Sequence, residues 1–425
     1  MKIYKFVFLF IITFFENISS GILSSEGNKQ NSNNLQNSNR TISLPLDNTN
    51  NLIYSSKVYI GPSSQPFNLV FDTLSTFIQI PSKECSNCLN QNLFDCSDPT
   101  ICKDKKNQTN YYILGKLDTI SFEAKQSVSF PFNLALPSQN ILFVLQIINL
   151  NNFKSDGSCG LNFEAIFKND ENNFLIQLYK TKQINTKVFS FYLSNQAYSA
   201  PIETSHSKII LGGEKANLYI SPLKELPLND EKNWAIKLTK FEFDQNVIFT
   251  GVANAIINIA DHMLQVPYNV YMKILNNLKN SFTACETVGI NIKCLCPKGL
   301  KLFPILQFTF GEEKFELEPE FYISEQNFVC LIQIKSSDYE NQNNWIIGNS
   351  FFKKYYSVFD ADNKKIKLAK AQNKEPAYNV LFNDIIYLFA FLFASFFIGI
   401  LIVFIVNKKT GLHEIVDEVD YKHFS

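Results

Sequence analysis

The residues best equipped for chemistry lie in the stretch Leu69 to Cys85, which reads LVFDTLSTFIQIPSKEC. Apolar residues run into Asp72 and Thr73, a turn-like Leu74-Ser75 follows, and a second apolar run ends at Pro81. The pattern describes a strand that delivers a carboxylate to a tight loop and a strand that leaves it. A second stretch, Ala255 to Pro267, reads AIINIADHMLQVP: apolar residues again run into a polar side chain, here Asn258, followed by Ile259 and Ala260. A carboxylate in such a loop can take or give a proton. A carboxamide has no titratable proton near neutral pH and cannot serve as a general base. Asp261 and His262 come next, but no placed nucleophile accompanies them, so the pair reads as loop lining rather than catalytic equipment.

The elements that must position these residues are bounded by composition. A chain of 425 residues has room for two or three domains, and 46% hydrophobic residues can bury a large core. With 39 basic and 39 acidic residues the net charge is zero, which gives no global attraction to nucleic acid. The 4 histidines are scattered, which argues against a zinc site, and no metal or other cofactor is expected. The 40 phenylalanines and the many asparagines read as compositional bias rather than function.

Both ends carry targeting signals. Lys2 and Lys5 precede the apolar run Phe6 to Phe15 and the small residues Ser19, Ser20 and Gly21, the layout of a secretory signal peptide over residues 1–20. Residues 385–406 form an uncharged apolar run of bilayer length, read as one transmembrane helix. Lys408 and Lys409 follow it and place the tail, 407–425, in the cytosol. This is the layout of a single-pass type I membrane protein whose ectodomain is lumenal or extracellular, in the secretory pathway, the endolysosomal system or at the cell surface.

Nine cysteines behind a signal peptide imply disulfides, and the odd count leaves at least one unpaired. Cys85 and Cys88 lie close together, as do Cys96 and Cys102, and each couple is expected to pair. Cys285, Cys294, Cys296 and Cys330 form a later group expected to hold two bridges of open connectivity. Cys159 stands alone in an apolar context as the free thiol.

Residues 21–51 are rich in Asn, Ser and Gln and carry too little apolar surface to fold alone, so they read as a linker or pro-segment. Asn39-Arg40-Thr41 and Asn107-Gln108-Thr109 are acceptor sequences for N-linked sugar. From Leu52 onward, short apolar runs alternate with turns every ten residues or so, the signature of an all-β structure.

The order of motifs over about Leu52 to Ala371 resembles the pepsin family of aspartic proteases. The stretch 52–73 is similar to that family's first hairpin. Asp72-Thr73-Leu74-Ser75 stands where the family has Asp-Thr-Gly-Ser, and Asn258-Ile259-Ala260 where it has its second Asp-Thr-Gly. Leu114-Gly115-Lys116-Leu117-Asp118-Thr119 resembles the descending strand of the flap. The hairpin before it is short, and Tyr111 and Tyr112 lie too close to Asp118 to occupy a normal flap tip. Asp156 to Leu161 and Ile346-Ile347-Gly348 resemble the two segments that thread past the loops. Val188 to Ser194 resembles the crossover into a second lobe, and Trp234 to Leu238 the strand before the second site.

The resemblance implies a bilobal fold, with an N-terminal lobe over 52–196, a C-terminal lobe over 197–371 and a juxtamembrane linker over 372–384, anchored in the manner of the β-secretase type. It also implies that Asp72 and position 258 share a cleft lined by Thr73, Leu74, Ser75, Ile259, Ala260 and Asp261. In the family, two close carboxylates share one proton; one activates a water and the other donates to the carbonyl oxygen. Asn258 cannot join such a pair, Ile259 lacks the hydroxyl that braces its loop, and Leu74 is expected to crowd the water. Gln79 replaces the tryptophan that braces the flap tyrosine, and that tyrosine is expected to be missing. The sequence therefore reads as a catalytically impaired homologue that binds peptide or protein in its cleft. The alternatives are an aspartic endopeptidase with a divergent site and a surface scaffold or antigen.

The orientation is testable. Protease treatment of sealed microsomes is expected to trim only the tail after Lys408; digestion of the whole ectodomain would reject this topology.

Overall fold

The computed structural model describes residues 40–50, 52–89, 92–102, 104–114, 116–131, 134–148, 155–194, 207–281, 284–289, 291–337, 344–372, 391–393 and 395–406. The expected signal peptide, the sequon at Asn39, residues 373–390 and the tail from 407 lie outside them. Of the apolar run, 391–393 and 395–406 are helical and exposed. Among the described residues no helix is long and apolar enough to cross a membrane.

Two loops of the same construction organise the protein. Strand Gln65–Asp72 has Phe67, Leu69 and Phe71 inward at every second position, the period of a strand with one buried face. It pairs antiparallel with Ile53–Ile60 on one side. On its other side Gly157–Gly160 runs parallel to it, with Asp72 beside Gly160. The chain leaves the loop in Ile78–Pro81, across that short strand and antiparallel to it, then parallel to Leu134–Ile147. Gly157–Gly160 thus threads between the strand that enters the loop and the strand that leaves it. The second half repeats the plan. Asn246–Asn258 enters, and Asn344–Gly348 runs parallel with Asn258 beside Gly348. Leu264–Val266 leaves on the far side, parallel to Ile334–Ser336. The first unit belongs to an 8-stranded sheet and the second to a 7-stranded one.

The threading glycines are fixed by space. A Cβ on Gly160 would meet the Ser75 carbonyl oxygen at 2.4 Å, and one on Gly348 would meet that of Met263 at 2.4 Å. No side chain fits there, because both obstacles are backbone.

A 6-stranded sheet takes strands from both halves of the chain, in the order Ile42–Pro45, Lys208–Leu211, Val188–Tyr192, Tyr355–Asp360, Lys365–Ala371, Tyr219–Pro227. Residues 42–49, which the sequence presents as the end of a linker, are therefore strands. Leu44 and Leu46 are fully buried, and Ile42 to Pro45 pair with Lys208 to Leu211. A short apolar alternation inside an Asn/Ser-rich stretch is too weak a signal to read alone; the waiting edge of the sheet supplies the rest. Behind this sheet Trp234 is wholly buried and meets Phe163, Phe189 and Phe359 edge-on at 5.0–5.4 Å between centroids.

The purely β expectation needs correction. Tyr268–Ser281 is a helix of 14 residues with Val270, Tyr271, Ile274, Leu275 and Leu278 buried. That spacing lays one apolar stripe along a helix and would scatter across both faces of a strand. The fold is mostly β and bilobal.

Cys85 bonds Cys88 and Cys96 bonds Cys102. In the later group the connectivity is Cys285–Cys294 and Cys296–Cys330. Cys285 and Cys294 face each other across the neighbouring strands Cys285–Val288 and Asn291–Leu295, which brings their Cα atoms to 4.1 Å. Cys159 is a buried free thiol whose burial pushes its pKa up, so it stays protonated and unreactive.

The threading constraint gives a sharp test. Gly160→Ala and Gly348→Ala are each expected to lose about 3 kcal/mol or more, because backbone must move. Gly289→Ala is the control: Gly289 has φ 61 and nothing within 4 Å of where the new methyl group would stand, so only a backbone cost of about 1 kcal/mol applies. Chemical unfolding of the three variants checks this; equal losses would refute the steric account.

Candidate functional site

The first loop is held from behind by its thread. Asp72 ends strand Gln65–Asp72 and is 7% exposed. Its carboxylate oxygen Oδ1 accepts from the Leu74 amide at 2.9 Å, and its main-chain carbonyl accepts from the Leu161 amide at 2.7 Å. Asn162 N donates to the Ser75 carbonyl at 2.9 Å. The buried Asn173 caps helix Phe174–Lys180 with its side-chain oxygen and spends its amide on the carbonyls of Gly160 (2.9 Å) and Thr76 (3.2 Å).

The second loop mirrors the first. Asn258 Oδ1 accepts from the Ala260 amide at 3.1 Å, as Asp72 does from Leu74. Asn349, fully buried, donates its side-chain amide to the Ile259 carbonyl at 3.1 Å and its main-chain amide to the Asp261 carbonyl at 2.7 Å.

One hydroxyl ties the two loops. Thr73 Oγ1 donates to the Ile257 carbonyl at 2.7 Å and accepts from the Ile259 amide at 3.3 Å. Thr73 follows Asp72, and Ile257 and Ile259 flank Asn258, so the clamp joins the two loops at the residues next to those two. Ile259, buried and without a hydroxyl, cannot return the bonds, so the clamp is one-sided. Trp234 adds a second tie: its Nε1 donates to the Leu161 carbonyl at 2.7 Å, and its own carbonyl accepts from Ile257 at 2.8 Å.

Three carboxylates sit near this junction, in different electrostatic states. Burial pushes Asp72 above the usual range, the Leu74 amide tempers the rise, and the charge of Asp261 adds to it. Asp261 goes the other way. Burial opposes its ionisation, but Lys335 Nζ at 3.1 Å and the Met263 amide at 3.1 Å hold its pKa below the usual value. Gln265 Nε2 also reaches Asp261 Oδ2 at 3.1 Å, and His262 Nδ1 lies 3.6 Å from Oδ1. Asp261 is thus committed to an ion pair and does not replace the missing partner of Asp72.

The third carboxylate stands out in the sequence only as part of the flap motif. Asp118 is 4% exposed, and its Oδ2 is buried with no hydrogen-bond partner among the described residues. Burial, and then the charge of Asp72, push its pKa up to about 7.

The hairpin Thr109–Ile113 and Lys116–Phe130 bears on two expectations. The sequence offers no tyrosine at a flap tip, yet the Tyr111 hydroxyl accepts from the Thr76 amide at 3.0 Å, and its ring meets Phe77 edge-on at 6.1 Å. The tyrosine comes from the rising strand rather than the tip. Leu74, expected to crowd the water, is packed with Ala235 and Ile256 in a small apolar cluster, and Leu114 of the hairpin turn closes it. Ser75 is buried within the loop, and Asn107 lies on the exposed approach to the hairpin. Gln79 is buried where the bracing tryptophan would stand, and its Nε2 has no hydrogen-bond partner among the described residues. Among the described residues no cluster of side chains could hold a metal ion.

Sequence reading names Tyr111 and Asp118 only as parts of the flap hairpin and misses their contacts, Asn173, Asn349 and the bridging role of Trp234. An asparagine before an apolar helix, as in Asn173-Phe174-Leu175, is a visible cap signal. The rest depend on contacts between segments far apart in the chain.

The profile of a family described as Eukaryotic aspartyl protease matches residues 53–371. Plasmepsin IV of Plasmodium falciparum (isolate 3D7) is 26% identical over 350 residues, spanning 78% of this chain and 72% of its own. Pepsin A of Sus scrofa is 25% identical over 335 residues, 76% of this chain and 83% of its own. Gastricsin of Homo sapiens is 26% identical over 339 residues, 75% and 81% respectively.

The carboxylates predict a pH profile. The folded pKa of Asp118 is raised above its unfolded value of about 3.9, so the native state binds the proton more tightly. Its contribution to stability is complete below about pH 4 and is lost as pH rises through about 7. Asp118→Asn is expected to flatten the stability profile across that window by on the order of 1–4 kcal/mol, measured by denaturant unfolding from pH 4 to 8. An identical slope in wild type and variant would refute it.

Proposed function

Since the chain belongs to the eukaryotic aspartyl protease family, we propose that it is a membrane-anchored homologue of that family that binds peptide or protein in its cleft and has lost the paired-carboxylate chemistry. The observation that carries this reading is the mirrored loop. Asn258 makes with Ala260 the same bond that Asp72 makes with Leu74, so a carboxamide fills the partner position without disturbing the frame. A carboxamide neither shares a proton with Asp72 nor takes one from a water. The one-sided clamp supports the same reading, because the loop carrying position 258 lacks its own hydroxyl tie. The binding of peptide or protein is what the family's substrates imply. Four disulfides fit a protein of the secretory pathway. The anchor is the apolar run 385–406, uncharged and followed by Lys408 and Lys409.

A second reading, a working endopeptidase with a rearranged site, is favoured by one observation: Asp118 is a second buried carboxylate whose titration responds to Asp72. Such a pair splits into the group that keeps its proton and the group that gives it up.

Cleavage of a fluorogenic peptide library between pH 4 and 7 separates the two. The wild-type ectodomain is expected to show no turnover that Asp72→Ala abolishes. Asn258→Asp alone is expected to restore little, because Ile259 and Leu74 remain. The combined Asn258→Asp, Ile259→Thr, Ala260→Gly and Leu74→Gly variant is expected to gain about 100-fold or more over Asn258→Asp. Robust wild-type turnover, lost in both Asp72→Ala and Asp118→Asn, would overturn the first reading in favour of the second.

A further inference from the structure

The thread Asn344–Gly348 runs straight into the short helix Asn349–Phe352. Lys353 completes the turn, its amide donating to the Asn349 carbonyl at 3.1 Å. This turn is part of the frame behind the second loop. Asn349 shares its side-chain amide between the carbonyl of Ile259, at 3.1 Å, and that of Leu52, at 3.0 Å. It therefore ties the loop that carries Asn258 to the chain just before strand Ile53–Ile60.

Lys353 is an unusual residue to find there. It is 2% exposed, and its ammonium has no hydrogen bond or ion pair among the described residues. Burial alone lowers its pKa, to about 8, so at neutral pH it still carries its charge. The next residue shows the ordinary solution: Lys354 Nζ donates to the Glu318 carboxylate at 2.7 Å and to the Glu316 carbonyl at 2.6 Å. Two further polar atoms on the turn share the predicament of Lys353. Asn349 Oδ1 and Ser350 Oγ are buried without partners among the described residues. They stand four and three residues before Lys353, the spacing that brings side chains together on one face of a helical turn. A long side chain there leans back over the preceding turn, toward both of them.

We propose that Lys353 and Ser350 form a binding site for a small monovalent anion of the halide class, chloride above all, behind the second loop. A buried charge is costly unless it is paired, and the described residues bring no carboxylate to this one. The class of ligand follows from the site. One cation calls for one negative charge, and near-complete burial leaves no room for a bulky, strongly hydrated anion such as sulfate. The Ser350 hydroxyl donates to the anion beside the ammonium, and Asn349 Oδ1 accepts from one of the remaining ammonium protons. The anion thereby steadies the turn whose Asn349 holds the Ile259 carbonyl, and acts on the loop of Asn258 from behind. The site does not depend on what the cleft binds.

A ligand that binds only the native state shifts the folding equilibrium by one plus its concentration over its dissociation constant. The test follows urea unfolding of the full chain in neutral detergent, in sodium chloride and in sodium gluconate of equal ionic strength. Urea is used because guanidinium chloride would supply the ligand. Chloride at about 100 mM is expected to favour the native state of the wild type about 10-fold over gluconate, the shift given by a site of about 10 mM affinity. Bromide is expected to replace chloride. Lys353→Arg keeps the charge and is expected to keep the response. Lys353→Met is expected to abolish it and, in gluconate, to be more stable than wild type, because no buried charge is left to pair. Amide exchange at Asn349 and Lys353 gives the local reading and is expected to slow about 10-fold in chloride. Ser350→Ala, expected to weaken both responses, serves if Lys353→Met does not fold. No difference between the two salts in wild type, or the same difference in Lys353→Met or Ser350→Ala, would overturn the site.

Discussion

At Gly160 and Gly348 the backbone passes so close to the loops that carry Asp72 and Asn258 that even a methyl group would meet a carbonyl oxygen at 2.4 Å. Much of the architecture follows from that passage. Threading a strand between entry and exit strands fixes the loop on both sides at once, and the amides just beyond the thread are then aimed at the loop's carbonyls. Leu161 and Asn162 do this in the first half, Asn349 in the second. A loop held this way keeps its shape whatever side chain it presents. That is how an asparagine can stand at position 258 in a frame that matches the one around Asp72.

The electrostatics follow from the same frame. A second carboxylate at position 258 would share a proton with Asp72 through mutual repulsion. With Asn258 there, Asp72 is governed by burial, by the hydrogen bonds of Leu74 and Ser75 and by the more distant charge of Asp261, and its own charge in turn raises Asp118. Lys335 neutralises Asp261 locally, whereas Asp118 keeps one buried oxygen unsatisfied among the described residues. The site thus holds carboxylates of very different character within a short reach. The Thr73 hydroxyl accounts for two hydrogen bonds between the loops, each worth about 1 kcal/mol net. Ile259 substitutes packing for the bonds a threonine would have returned.

The hairpin above the site meets the first loop at two points. Tyr111 stands on its rising strand and accepts from the Thr76 amide, and Leu114 of its turn packs beside Leu74. A glycine at position 74 would leave Leu114 without its packing partner on the first loop.

What is local and repetitive was legible in the amino-acid order. Alternating apolar residues mark the strands, paired motifs mark the two loops, and close cysteine couples mark two of the four bridges. Residue identity also settles which side chains stand at 72, 258 and 259, and therefore which of them can hold a proton. Features that depend on partners far apart in the chain emerge only on folding: the fate of Asp261, claimed by a lysine 74 residues away, and the pairing of Cys296 with Cys330. Folding also turns Ile42–Pro45 from linker into sheet edge, because a strand of four residues is stable only when a partner offers its hydrogen bonds. It sets Tyr111 and Leu114 on the first loop as well, since hairpin length is visible in sequence but the surface it folds onto is not.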